Sequence, residues 1–97
     1  MSVVTNVSIQ VIPKVPDEQT YYVVDKVIEY IDSCNIKYEV GPMETTMEGD
    51  LDTLLNIVKE VQEICVKEGA SRVASIVKID YKPKGVTMHE KIGKYRK

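Results

Sequence analysis

From Val3 to Ile12 apolar and polar residues alternate, with Val7, Ile9 and Val11 on one side of an extended chain and Asn6, Ser8 and Gln10 on the other. A period of two marks a half-buried strand. Pro13 and Pro16 end the run, and Asp17 is placed to cap a helix that reaches about Cys34. Within it Val23, Val24, Val27, Ile28 and Ile31 form one apolar stripe, while Asp25, Lys26, Glu29 and Asp32 face water. Asn35 stops it. Ile36 to Val40 is a second strand with Ile36, Tyr38 and Val40 inward, Gly41-Pro42 a tight turn, and Glu44 to Glu48 a third strand. On the third strand Glu44, Thr46 and Glu48 share one face and Thr45 and Met47 the other.

Asp50 is placed to cap a second helix, Leu51 to Lys67, whose stripe is Leu51, Leu54, Leu55, Val58, Val61, Ile64 and Cys65. Gly69 suits the left-handed position that ends helices. Arg72 to Tyr81 is a fourth strand, with Val73, Ser75, Val77 and Ile79 on one face and Ala74, Ile76, Lys78 and Asp80 on the other. Beyond the turn Lys82-Pro83-Lys84-Gly85, the run Thr87-Met88-His89-Glu90 matches a capping box. It opens a short terminal helix that Met88, Ile92 and Tyr95 would dock.

The order β-α-β-β-α-β is the split βαβ pattern of ferredoxin-like α+β domains. It predicts a four-stranded antiparallel sheet in the order 4-1-3-2, with both long helices on one face. The other face then collects Asn6, Ser8, Gln10, Glu44, Thr46, Glu48, Lys78 and Asp80, with Ala74 and Ile76 among them. That face meets water, meets a partner subunit, or holds something polar. A half-apolar, half-polar face that a monomer leaves open predicts a homo-oligomer of two dimers.

Composition removes several function classes. At 97 residues the chain is one domain spanning 1–97, and 43% apolar with 29% charged residues suits a folded protein. A net charge of -2 offers no electrostatic footprint for nucleic acid or acidic membranes. RNA-binding modules of this topology stack bases on aromatics of the central strands, whereas this chain has no Phe and no Trp and places Glu44 and Glu48 there. The basic end, Lys91, Lys94, Arg96 and Lys97, complements a helix C-terminus. No run approaches the roughly 18 apolar residues of a membrane span. The opening MSVVTNVSIQVIP lacks the marks of a signal peptide, so the cytoplasm is the expected compartment.

Enzyme motifs are absent: there is no glycine-rich phosphate loop and no G-x-S-x-G. Glu44 and Glu48 lie two pleats apart on one face, where they serve either as an acid-base pair or as charges matched by Lys78 or Lys37. His89 falls in the capping box. Cys34 and Cys65 stand far apart, with no C-x-x-C and one histidine in the chain, so neither a disulfide framework nor a zinc site is expected. Both read as buried or half-buried packing residues.

The spacing Tyr38-x-x-x-Pro42-Met43-x-Thr45-x-x-x-Gly49-x-Leu51, followed by Arg72-Val73-x-x-x-x-Lys78-Ile79-Asp80, resembles the thiamine-binding-protein-like family, UPF0045. Ile12-Pro13 and Thr87-Met88-x-x-Lys91 are similar too, so the resemblance covers nearly the whole chain. It implies a ferredoxin-like fold, assembly into dimers and tetramers through sheet surfaces, and binding of thiamine or its hydroxymethylpyrimidine part without catalysis. Many relatives carry an arginine two positions after Ile79-Asp80, where this chain has Lys82.

Resemblance and residues meet on the open face. Thiamine joins an aminopyrimidine to a cationic thiazolium. Ser8, Gln10 and Thr46 supply hydrogen bonds, and Glu44 or Glu48 balances the cation or accepts from the exocyclic amine. With Lys78 these are the expected ligand contacts, and loss of Glu48 would weaken binding roughly 10- to 150-fold. Such a change would cost little stability if the carboxylate is otherwise unpaired. Tyr21, Tyr22 or a residue of a second subunit would stack the rings. The alternative is a structural or regulatory homo-oligomer with no small ligand, its polar sheet face a subunit interface.

Overall fold

The computed structural model describes residues 3–96. Met1, Ser2 and the last basic residue, Lys97, lie outside them. The elements follow as β1 (Val4–Pro13), a 3-10 turn (Asp17–Gln19), α1 (Thr20–Ser33), β2 (Lys37–Val40), β3 (Thr45–Asp50), α2 (Leu51–Lys67), β4 (Val73–Asp80) and α3 (Met88–Ile92), which runs into a closing 3-10 turn (Gly93–Tyr95). The sheet has the order β2-β3-β1-β4, every pair antiparallel. This is the ferredoxin-like arrangement that the alternation predicts, with β1 and β3 central.

One apolar layer lies between the sheet and both long helices. Val7, Ile9 and Met47 from the sheet pack with Val23, Val27 and Ile31 of α1 and Leu54, Ile57, Val61 and Cys65 of α2. Each such fully buried side chain stabilises the fold by about 1.5–3 kcal/mol. Cys65 is buried and Cys34 half-buried, both as free thiols. Burial pushes the Cys65 thiol pKa up, which keeps it protonated and unreactive.

Several expectations need correction. Asp17 caps nothing: no side chain caps the 3-10 turn or α1. The Pro16 carbonyl accepts the Gln19 N–H at 2.8 Å, which closes a tight i to i+3 turn before the α-helix begins. On α2 the core takes Ile57, while Leu55 is exposed, so the buried stripe lies a little round the helix from the expected one. Val40 ends a four-residue edge strand and is exposed rather than inward. Ile79 shares the core-facing side of β4 but is exposed too, at the end of the outer strand. The terminal helix docks through Met88, while Tyr95 stays exposed.

Candidate functional site

Strand register sorts the polar face into rows. Lys37, Glu48, Asn6 and Asp80 stand opposite one another across β2, β3, β1 and β4, and Glu39, Thr46, Ser8 and Lys78 form the next row. Directly opposed residues of antiparallel strands share a face, so both rows point away from the α1–α2 layer.

The C-terminal segment crosses this face. Gly85, at φ +90°, turns the chain so that the Val86 N–H reaches the Val4 carbonyl at 3.0 Å. Thr87 and Glu90 then form the capping box that the sequence announces. Three polar contacts tie the segment to three strands. Met88 N–H donates to Glu48 Oε1 of β3 at 2.5 Å, Lys91 Nζ meets Asp80 of β4 at 2.5 Å, and Arg96 Nε meets Glu39 of β2 at 2.7 Å.

Between the segment and the sheet lies a cavity of about 390 Å³. Asn6, Ser8 and Thr46 form its floor. Gly41, Pro42 and Glu44 come from the β2–β3 turn, Glu39 and Lys78 from the outer strands, and Met88, Lys91, Ile92 and Arg96 from the C-terminal segment. Lys78 and Glu44 pair across its rim at 2.8 Å. Both partners are substantially exposed, so the pair contributes on the order of 0–1 kcal/mol. It answers what neutralises Glu44.

The floor is chemically unusual. Asn6 and Ser8 are 3% and 6% exposed, yet Asn6 Oδ1 and Ser8 Oγ have no hydrogen-bond partner among the described residues. Leaving a buried polar atom unsatisfied costs about 1–3 kcal/mol, and native folds keep few such atoms. Here two lie on adjacent rows of one central strand, and both residues line the same cavity.

Of the six expected contacts, the cavity gathers Ser8, Glu44, Thr46 and Lys78. Gln10 lies elsewhere, lining a hollow of about 250 Å³ between α1 and the 41–45 turn. Glu48 does not line the cavity. Its Oε1 accepts from Met88 N–H and, at 3.3 Å, from Asn6 Nδ2, and its Oε2 lies 4.0 Å from Lys37 Nζ. The condition attached to its loss, an otherwise unpaired carboxylate, is therefore not met. Tyr21 and Tyr22 belong to α1, behind the sheet, and are exposed. Asn6 was legible as a member of the polar face but was not singled out. Met88, Ile92, Lys91 and Arg96 carried a capping-box signal, but no signal that their helix folds over the sheet.

Comparison with known proteins bears on the fold and the family. Residues 7–96 match a family model described as thiamine-binding protein. A UPF0045 protein of Clostridium perfringens is 69% identical over 91 residues, which cover 94% of this chain and 96% of that protein. A solved domain of unknown function from Bacillus cereus shares the fold at a TM-score of 0.92 and 47% identity, over 99% of this chain and 93% of that one. A candidate thiamine biosynthesis/salvage protein from Thermotoga maritima follows at 0.89 and 42% identity, over 96% and 99%. Matched along almost its whole length in sequence and in fold, the chain belongs to the thiamine-binding protein family, UPF0045.

Proposed function

We propose that the protein binds thiamine or its hydroxymethylpyrimidine part in the cavity beneath α3, reversibly and without catalysis, as a homo-oligomer. The observation that carries the reading is a cavity floored by three small polar side chains, Asn6, Ser8 and Thr46, beneath the C-terminal segment. An aminopyrimidine offers in-plane donors and acceptors that amide and hydroxyl side chains match. The volume falls in the range of about 300–1,000 Å³ usual for small-molecule sites. Pro42, Met88 and Ile92 supply apolar contact for a ring, a task that a methionine sulfur performs well against aromatics. Glu39 and Glu44 stand at the cavity too, each already paired, with Arg96 and with Lys78.

Binding without turnover is part of the proposal. The family description and the Thermotoga relative's stated link to thiamine biosynthesis or salvage support the ligand class. Self-association draws on the uncovered end of the same face. There Ile12 and Ile76 are 48% and 52% exposed beside Ala74. Two free thiols suit a reducing compartment, so the cytoplasm belongs to the proposal, and no described helix is long and apolar enough to cross a membrane.

Calorimetric titration of ligand-free protein with thiamine and with hydroxymethylpyrimidine tests the reading. Heat is expected with at least one, and Asn6→Ala should weaken that binding about tenfold. No heat with either compound would leave the structural oligomer as the better account.

A further inference from the structure

The C-terminal segment is not held evenly against the sheet. Its first residues are built in. Val86 and Met88 are each 6% exposed. Val86 N–H donates to the Val4 carbonyl at 3.0 Å, Asn6 Nδ2 donates to the Val86 carbonyl at 3.4 Å, and Met88 N–H is held by Glu48. Further along the hold is thin. Ile92 is half-buried, and Lys91, Lys94, Tyr95 and Arg96 are exposed. Among the described residues, the polar ties from residues 91–96 to the strands are two ion pairs, Lys91 with Asp80 of β4 and Arg96 with Glu39 of β2. Their side chains are 34–61% exposed, and such a pair shifts an equilibrium by at most about fivefold. Lys91, Ile92 and Arg96 nevertheless supply a wall of the cavity.

We infer that residues 91–96 are a latch over the cavity. The segment pivots about its built-in residues 86–88, the two ion pairs hold it shut, and ligand binds the shut form, in which the wall is in place. Asp80 is then a positioning residue. It does not line the cavity, and it acts on binding through Lys91. The inference rests on the reading that this cavity takes an aminopyrimidine, and it deepens that reading by naming what controls access. The physical reason is linkage. Apparent affinity scales with the fraction of molecules that are shut, and a ligand that binds the shut form keeps it shut in turn. Two exposed pairs and one half-buried isoleucine leave the open and shut forms close in free energy. Breaking one pair is therefore felt at the cavity, and charged side chains govern the affinity of a ligand that carries no charge.

The test is a charge swap, read by calorimetry with 4-amino-5-hydroxymethyl-2-methylpyrimidine at mildly alkaline pH, where the ring is uncharged. Asp80→Lys and Lys91→Asp should each weaken binding about fivefold, with little change in the melting curve. The two together restore an ion pair of opposite sense and should recover wild-type affinity. Hydrogen exchange across residues 91–96 reads the latch without ligand. It should be faster in each single variant, recover in the swap, and slow when the probe is added. If Lys91 contacts the ligand itself, Lys91→Asp weakens binding, Asp80→Lys does not, and the swap fails to rescue, which overturns the inference while the binding site stands. Wild-type affinity or exchange in both single variants overturns it likewise. No binding of the probe by wild type overturns the inference together with the reading beneath it. Should Asp80→Lys fail to fold, the isosteric Asp80→Asn decides, with a loss of about threefold expected and no loss overturning the inference.

Discussion

Single residues on the cavity floor set stability against recognition. Ser8 Oγ is buried without a partner, so folding carries its desolvation cost and gains no hydrogen bond in return. Replacing it removes the cost. Ser8→Ala should leave the urea midpoint unchanged or raise it, by up to about 1 kcal/mol in stability, while ligand affinity falls several-fold. Equilibrium unfolding and calorimetry on the same preparation measure both. A clear loss of stability would mean that the hydroxyl has a structural task, and the floor would lose its claim as a binding surface. Asn6 differs in kind, since its NH2 group bonds Glu48 and Val86. Its truncation removes a structural link as well, and the asparagine and serine that alternate along β1 are therefore not equivalent.

At the scale of elements, caps anchor the helices that frame the sheet. Asp50 ends β3 and starts α2, accepting from Thr53 N–H at 3.1 Å and from the Thr53 hydroxyl at 2.7 Å. Those bonds, the hydroxyl's first, hold the Asp50 carboxyl below its ordinary pKa. A pKa lower in the folded than in the unfolded state contributes stability above the unfolded value, and that stability is lost as pH falls toward the folded one. Asp50→Ala should therefore melt lower than wild type near neutral pH, and the gap should narrow on acidification through about pH 4 and below. Thermal melts across that range check it, and a gap independent of pH would contradict it. Because Glu48 lies two residues before this cap on β3, the same short strand both starts α2 and holds α3 through Met88.

At the scale of the whole molecule, the sheet face is divided. The C-terminal segment covers the end that carries Asn6, Glu48 and Asp80, and leaves bare the end that carries Ile12, Ala74 and Ile76. An exposed apolar patch beside an unpaired outer strand favours association. Sedimentation should show a species larger than the 11.0 kDa chain, and Ile76→Lys should shift it to monomer with an unchanged melting curve. A monomeric wild type at micromolar concentration would end the oligomer proposal.

The sequence by itself determined the order of elements, the sheet order and the two-faced character of each strand. Strand and helix periods and local caps are encoded in near neighbours. Val7, Ile9 and Met47 had nowhere to go but the layer beneath α1 and α2. The ends of elements were less legible. Asp17 looked like a cap, but Pro16 closed a 3-10 turn first, and Val40 looked inward on a strand too short to be covered. The site was half legible, since Ser8, Glu44, Thr46 and Lys78 share one face by alternation alone and meet in the cavity. Only the tertiary structure decided that α3 folds across that face, that Glu48 is spent on Met88 and Asn6, and that Gln10 lies outside. The reason is physical: a capping box specifies where a helix begins, but not the surface it lands on. That surface depends on contacts between residues about 40 to 80 positions apart in the chain, which no local period encodes.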